Sequence, residues 1–172
     1  MDHSLFIPNI LSISLTLDSN TLTSNEAAKD KDKPINYLLE RKIKAEIGDK
    51  CVREGYVDKD SIQIVNRSIG TINAEQFNGS VSYNIRYKAL ICSPSKGMSV
   101  KGKVLSINKM GILAENKPLS IVIARQHQPD KSLLKGIDIG DTIDITILAS
   151  RFDLYATEIC SIGIIPSPNE NT

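Results

Sequence analysis

The chain has 172 residues, enough for one ordinary domain or two small ones, and a formal net charge of +1. Near-neutrality excludes a global field that would draw the chain to nucleic acid or an anionic membrane, so any basic surface must be local. Hydrophobic residues make up 41% but aromatics only 5%, with no Trp, so isoleucine and leucine must fill the core.

The segment Leu5 to Leu17 sets Leu11, Ile13, Leu15 and Leu17 against Ile10, Ser12, Ser14 and Thr16. A period of two predicts a half-buried strand. Asp18 to Lys33 is polar and charged and has the composition of a solvated connection. After Pro34, residues Ile35, Leu38, Leu39, Ile43 and Ile47 recur at helical spacing and Gly48 follows as a stop, which predicts a helix from Ile35 to Glu46. Strand patterns resume at Lys50. KCVREGYV and SIQIVNRSIG each read as one strand. VSYNIRYKALI alternates Val81, Tyr83, Ile85, Tyr87, Ala89 and Ile91 with polar residues. The front half is therefore α+β, an antiparallel sheet with one helix on one face.

Ser93 to Gly97, SPSKG, marks a junction. Beyond it the pattern predicts only strands: Ser99 to Ile107, Gly111 to Glu115, Leu119 to Ala124, Thr142 to Ala149 and Leu154 to Ile165. Five short strands with turns between them suggest an all-β OB-fold barrel. Gly102 and Gly111 then mark bends or bulges. Asn108 to Gly111 is the tight connection between the first two barrel strands, with Lys109 aimed at any passing phosphate.

Catalytic signatures are absent: there is no GxSxG, P-loop or HExxH string. Cys51, Cys92 and Cys160 are odd in number and far apart, which argues against a disulfide framework or a CxxC zinc site and for a reducing compartment. Neither His3 nor His127 has a cysteine at ligand spacing. Asp138, Asp141 and Asp144 either chelate a cation or flank a hairpin entry. MDHSLFIPNI is acidic and broken by Pro8, a poor signal peptide, and no apolar run approaches the ~18 residues of a membrane span. A soluble, intracellular, non-enzymatic chain with no cofactor or metal is expected. From Lys96 to Lys117 there are five lysines and one acid, a local +4. A basic face on an OB barrel would track RNA phosphates with little sequence preference and strong salt sensitivity, although aromatic stacking platforms are missing there.

Three strings together resemble a known family: GYVDKDSIQIVNRSIGTI (Gly55 to Ile72), VSYNIRYKALICSPSKGMSVKGKV (Val81 to Val104) and SINKMGILAE (Ser106 to Glu115). In order and spacing they resemble the larger stalk subunit of multisubunit DNA-directed RNA polymerases, the seventh subunit of RNA polymerase II and its archaeal counterpart. The resemblance implies a non-catalytic subunit with a ribonucleoprotein-like tip domain over residues 1–95 and an OB barrel over residues 96–172. The tip would dock on the largest polymerase subunits near the clamp through Glu54, Gly55, Tyr56, Ile69 and Gly70. Gly55 and Gly70 also read as plain turn residues. The barrel would contact nascent RNA through Lys101, Lys103, Asn108, Lys109 and Met110. A small helical partner subunit normally packs beside this family, and no membrane is involved. The polar stretch Asp18 to Lys33, the short connection Arg125 to Gly140 and Leu113 in place of a phenylalanine set the chain apart, as in divergent versions encoded by large DNA viruses. A cellular member would work in the nucleus, a viral one in host-cytoplasm factories and the virion. The competing reading is a free OB-fold factor binding single-stranded RNA in translation or RNA processing.

Overall fold

The computed structural model describes residues 5–19, 35–72, 79–128, 134 and 136–166. Most of the stretch expected to be a solvated connection, residues 20–33, and the end of the C-terminal tail lie outside these residues. The chain forms two compact units. One comprises Pro8–Asp49 and Val57–Ile91, the other Met1–Ile7, Lys50–Tyr56 and Cys92–Thr172.

In the first unit, strand β1 (Phe6–Leu17) buries Leu15 and Leu17 while Ser12 and Ser14 face outward, as the alternation predicts. Helix α1 (Ile35–Ile47) turns Leu39, Ile43 and Ile47 into the core, and Ile35, at its exposed first turn, falls outside that stripe. The helix ends where the Gly48 amide bonds the Lys44 carbonyl at 3.2 Å. Lys42 Nζ donates to the Thr16 carbonyl and ties the helix to β1.

The two front strands read after Lys50 need correction. KCVREGYV is a hairpin, with β2 (Cys51–Val52) pairing back on β3 (Gly55–Val57), Cys51 opposite Tyr56 and Val52 opposite Gly55. Arg53 and Glu54 form its turn, a pair without the usual turn signature, so periodicity ran straight through it. SIQIVNRSIG opens on a short 3-10 turn at Lys59–Ser61, capped by the Asp58 side chain. Only Gln63–Arg67 is strand β4, and a further short strand, β5, follows at Thr71–Ile72. A register shift between Ile64 and Asn66 interrupts the alternation.

Strand β6 (Val81–Cys92) is the backbone of this unit, and β1, β4 and β5 all pair with it. Its Tyr83, Ile85, Tyr87, Ala89 and Ile91 are buried and its Asn84, Arg86 and Lys88 exposed, as expected.

The second unit contains a closed five-stranded barrel: β7 (Ser99–Ile107), β8 (Gly111–Asn116), β9 (Leu119–Ala124), β10 (Thr142–Arg151) and β11 (Ile159–Ile164). Around the barrel the order is β7-β8-β9-β11-β10, with β9 and β11 parallel and the other pairs antiparallel. This five-strand closure is compatible with the OB-fold. The interior is aliphatic, with Val104, Ile121, Ile123, Ile145, Ile147 and Ile159 at or near zero exposure.

Gly102 serves the interior more than a bend. A Cβ there would lie 2.5 Å from Ile145 Cδ1, and the bulge in β7 falls later, between Val104 and Ser106. The last strand is shorter than the expected Leu154 to Ile165. Ala156 N bonds the Asp153 carbonyl and Tyr155 takes a φ of 64°, so residues 153–158 turn before β11 begins. That turn is held by the β2 hairpin: Cys51 N donates to the Ala156 carbonyl at 2.7 Å, and Tyr155 N to the Cys51 carbonyl at 2.8 Å.

Candidate nucleic-acid and docking surfaces

Strand β7 sorts its side chains by alternation. Val100, Gly102 and Val104 enter the barrel while Lys101 and Lys103 stay outside. The neighbouring strands decide what the two lysines face. Asp144 on β10 stands directly opposite Lys101, and Glu115 on β8 directly opposite Lys103. Directly opposed residues on one sheet face hold their Cβ atoms about 5 Å apart. Glu115 also lies 3.8 Å from Lys117 Nζ. Each lysine of β7 therefore has a carboxylate beside it. The local count of +4 missed Asp144 because it is remote in sequence.

The connection from β7 to β8 is a closed turn. Asn108 Oδ1 accepts from the amides of Met110 and Gly111, both at 2.9 Å, and Asn108 N donates to the Gly111 carbonyl at 2.9 Å. The Asn108 side-chain oxygen is thereby committed to shaping the turn. Gly111 is required by close approach: a Cβ there would sit 2.1 Å from the Ile123 carbonyl oxygen. Lys109 and Met110 project from the tip, Met110 at 80% exposure. Lys109 stands six residues beyond Lys103, about 20 Å along an extended strand. The five candidates therefore form two patches on the barrel, one at mid-strand and one at the turn.

The docking candidates divide between the units. Glu54, Gly55 and Tyr56 belong to the barrel unit, Ile69 and Gly70 to the sheet unit. Glu54 is exposed at the hairpin turn, and Tyr56 is half-buried against the barrel core. Tyr56 lines a cleft of about 230 Å³ with Glu115, Lys117, Pro118, Thr157 and Glu158. Ile69 is 89% exposed, an unusual state for an isoleucine. Gly70 has a packing reason beside any docking one. A Cβ there would lie 2.5 Å from Val81 Cγ1 and 2.9 Å from the Tyr83 ring.

Two of the three cysteines and one of the loop carboxylates are tied into structure. Cys51 Sγ donates to the Glu158 carbonyl at 3.7 Å, and burial raises its pKa. Burial, with the Cys51 thiol nearby, pushes the Cys92 thiol up to about 11. Both thiols stay protonated near neutral pH, the opposite of an activated nucleophile. Asp141 Oδ2 accepts from the Asp138 amide at 2.9 Å, so that carboxylate shapes the turn into β10. Among the described residues no three of His, Cys, Asp and Glu gather as a metal site.

No protein-family model matches the chain. A protein named as a DNA-directed RNA polymerase subunit in Acanthamoeba polyphaga mimivirus is 31% identical over 140 residues, covering 74% of this chain and 69% of that one. The RNA polymerase II subunit RPB7 of Dictyostelium discoideum is 31% identical over 103 residues, covering 51% of this chain and 59% of its own length. The soybean RPB7, from Glycine max, is 28% identical over 101 residues, covering 51% and 56%. The chain thus spans about two thirds of the viral relative and little more than half of the two cellular ones.

Proposed function

The chain belongs to the RPB7 family of DNA-directed RNA polymerase subunits, and from that premise we propose how it works within a polymerase. It is a non-catalytic stalk subunit of the RPB7 type and acts in transcription. The sheet unit docks on the largest subunits near the clamp, with Ile69 presenting an apolar contact. The hairpin residues Glu54 and Tyr56 add a second contact. The barrel lies along the path of nascent RNA, and Lys101, Lys103 and Lys109 meet its phosphates. A small helical subunit accompanies it. The chain acts where its polymerase transcribes, in the nucleus for a cellular enzyme or in a cytoplasmic factory and the virion for a viral one.

The observation that carries this reading is the viral match, which is longer than either compact unit and therefore runs through both. The paired carboxylates at Asp144 and Glu115 support weak, non-specific RNA contact over tight recognition.

The test is affinity purification of the tagged chain from its native source at about 0.3 M salt, where contacts made only through phosphates weaken strongly. The two large polymerase subunits should be retained in near-equal amount. Recovery of RNA or ribosomal material without polymerase would instead favour a free RNA-binding factor.

A further inference from the structure

The sheet unit carries a cleft of about 390 Å³ that none of the docking or RNA candidates lines. Its rim comes from three strands or strand ends: Ser12 and Ser14 from β1, Asn66 and Ser68 from β4 and beyond, Asn84 and Arg86 from β6. Ile13, Ile85 and Arg67 complete its lining. Register explains the grouping. Asn66 lies opposite Arg86, and the Asn84 amide bonds Ser68 Oγ at 3.0 Å.

The charge of this cleft is one-sided: two arginines line it and no carboxylate does. The two arginines are in different states. Arg67 Nε donates to Asn36 Oδ1 at 2.7 Å, and its guanidinium sits 5.6 Å from the centre of the Tyr83 ring. The side chain of Arg86 is exposed and has no hydrogen-bond or ion-pair partner among the described residues. Ser12 and Ser14, both exposed, line the same cleft, and their hydroxyls are unengaged among those residues.

We propose that this cleft binds an acidic, extended peptide segment of a partner protein, with Arg86 gripping a carboxylate. Guanidinium and carboxylate match as a two-bond fork, and hydroxyl and amide donors complete an anion site. The donors recur two residues apart on each strand, about 7 Å, which is the same-side spacing of an extended peptide. RNA fits less well, because single-strand sites add aromatic platforms and no aromatic side chain lines this cleft. The inference rests on the reading that this unit works against other protein chains, and it names the chemistry of one such contact.

A fluorescent hexaglutamate peptide, titrated into the full chain at low ionic strength, tests it. Amide NMR shifts should move at Ser12, Ser14, Asn84 and Arg86. Arg86→Glu and Ser14→Glu, both on exposed positions and checked for an unchanged melting curve, should each weaken binding about tenfold or more. Absence of saturable binding, equal affinity in the variants, or shifts confined to Lys101, Lys103 and Lys109 would overturn the proposal. So would tighter binding of hexauridylate at the same residues. Loss of polymerase in the affinity purification would sink the subunit reading separately, since the peptide titration does not depend on it.

Discussion

Lys101 and Asp144 stand directly across from each other on paired barrel strands, one on β7 and one on β10. Opposite charges set across from each other on an exposed sheet face contribute less than about 1 kcal/mol to stability. Its larger effect is on the field outside the barrel, where the carboxylate cancels much of the lysine's attraction for a polyanion. Asp144→Asn should therefore tighten binding of an oligouridylate severalfold and leave the melting temperature nearly unchanged. Fluorescence anisotropy at two salt concentrations checks this, because an uncovered cation steepens the salt dependence. The triple change of Lys101, Lys103 and Lys109 to Glu should abolish binding while polymerase subunits still co-purify.

The turn at Asn108 is predicted to matter for stability before it matters for RNA. Asn108→Ala removes the acceptor of two amides and should cost about 1 kcal/mol or more in urea unfolding. Gly111→Ala forces a methyl against the Ile123 carbonyl and should cost roughly 1–3 kcal/mol. Lys109→Ala, in the same turn but exposed, should stay within about 0.5 kcal/mol of the parent.

Ile69 and Gly70 are neighbours with opposite expectations. Ile69→Asp should leave the unfolding midpoint unchanged and reduce recovery of the large polymerase subunits. Gly70→Ala should lower stability by roughly 1–3 kcal/mol, because Val81 and Tyr83 occupy the space its methyl needs. Equal losses of stability in both variants would show that Ile69 is held by its own unit and is not a docking residue.

The thiols give a pH signature. In the folded chain Cys92 holds its proton to about pH 11, whereas an unfolded chain releases it near the ordinary thiol value. The folded state then binds more protons, so stability falls as pH rises between about 9 and 11. Cys92→Ser should flatten that fall. At pH 8, iodoacetamide with mass spectrometry should label exposed Cys160 first and reach Cys51 and Cys92 only on unfolding.

Strands with clean alternation were legible from the residues alone. β7 and β9 begin and end where the pattern of Ser99 to Ile107 and Leu119 to Ala124 says they should, because each has one face in a barrel core. The hairpin at Arg53 and Glu54 was not legible, since its turn residues carry no local signal and both arms are very short. The site was half legible. Lys101 and Lys103 could be placed on an outer face by period two, but their carboxylate partners depend on register, which no local window contains. The cleft at Arg86 escaped for the same reason: its rim is assembled from three separated stretches.

The two hydrogen bonds between Cys51 and the turn at Tyr155 and Ala156 have a consequence for how such a chain can change over time. The barrel unit draws on three separate stretches, so the polypeptide leaves it and comes back twice. No single cut yields two whole units. A fragment beginning at Lys96 would leave Tyr155 N and Ala156 O without the Cys51 backbone that engages them. Exchange of one unit between relatives needs several coordinated crossovers, so inheritance as one block is the easier course.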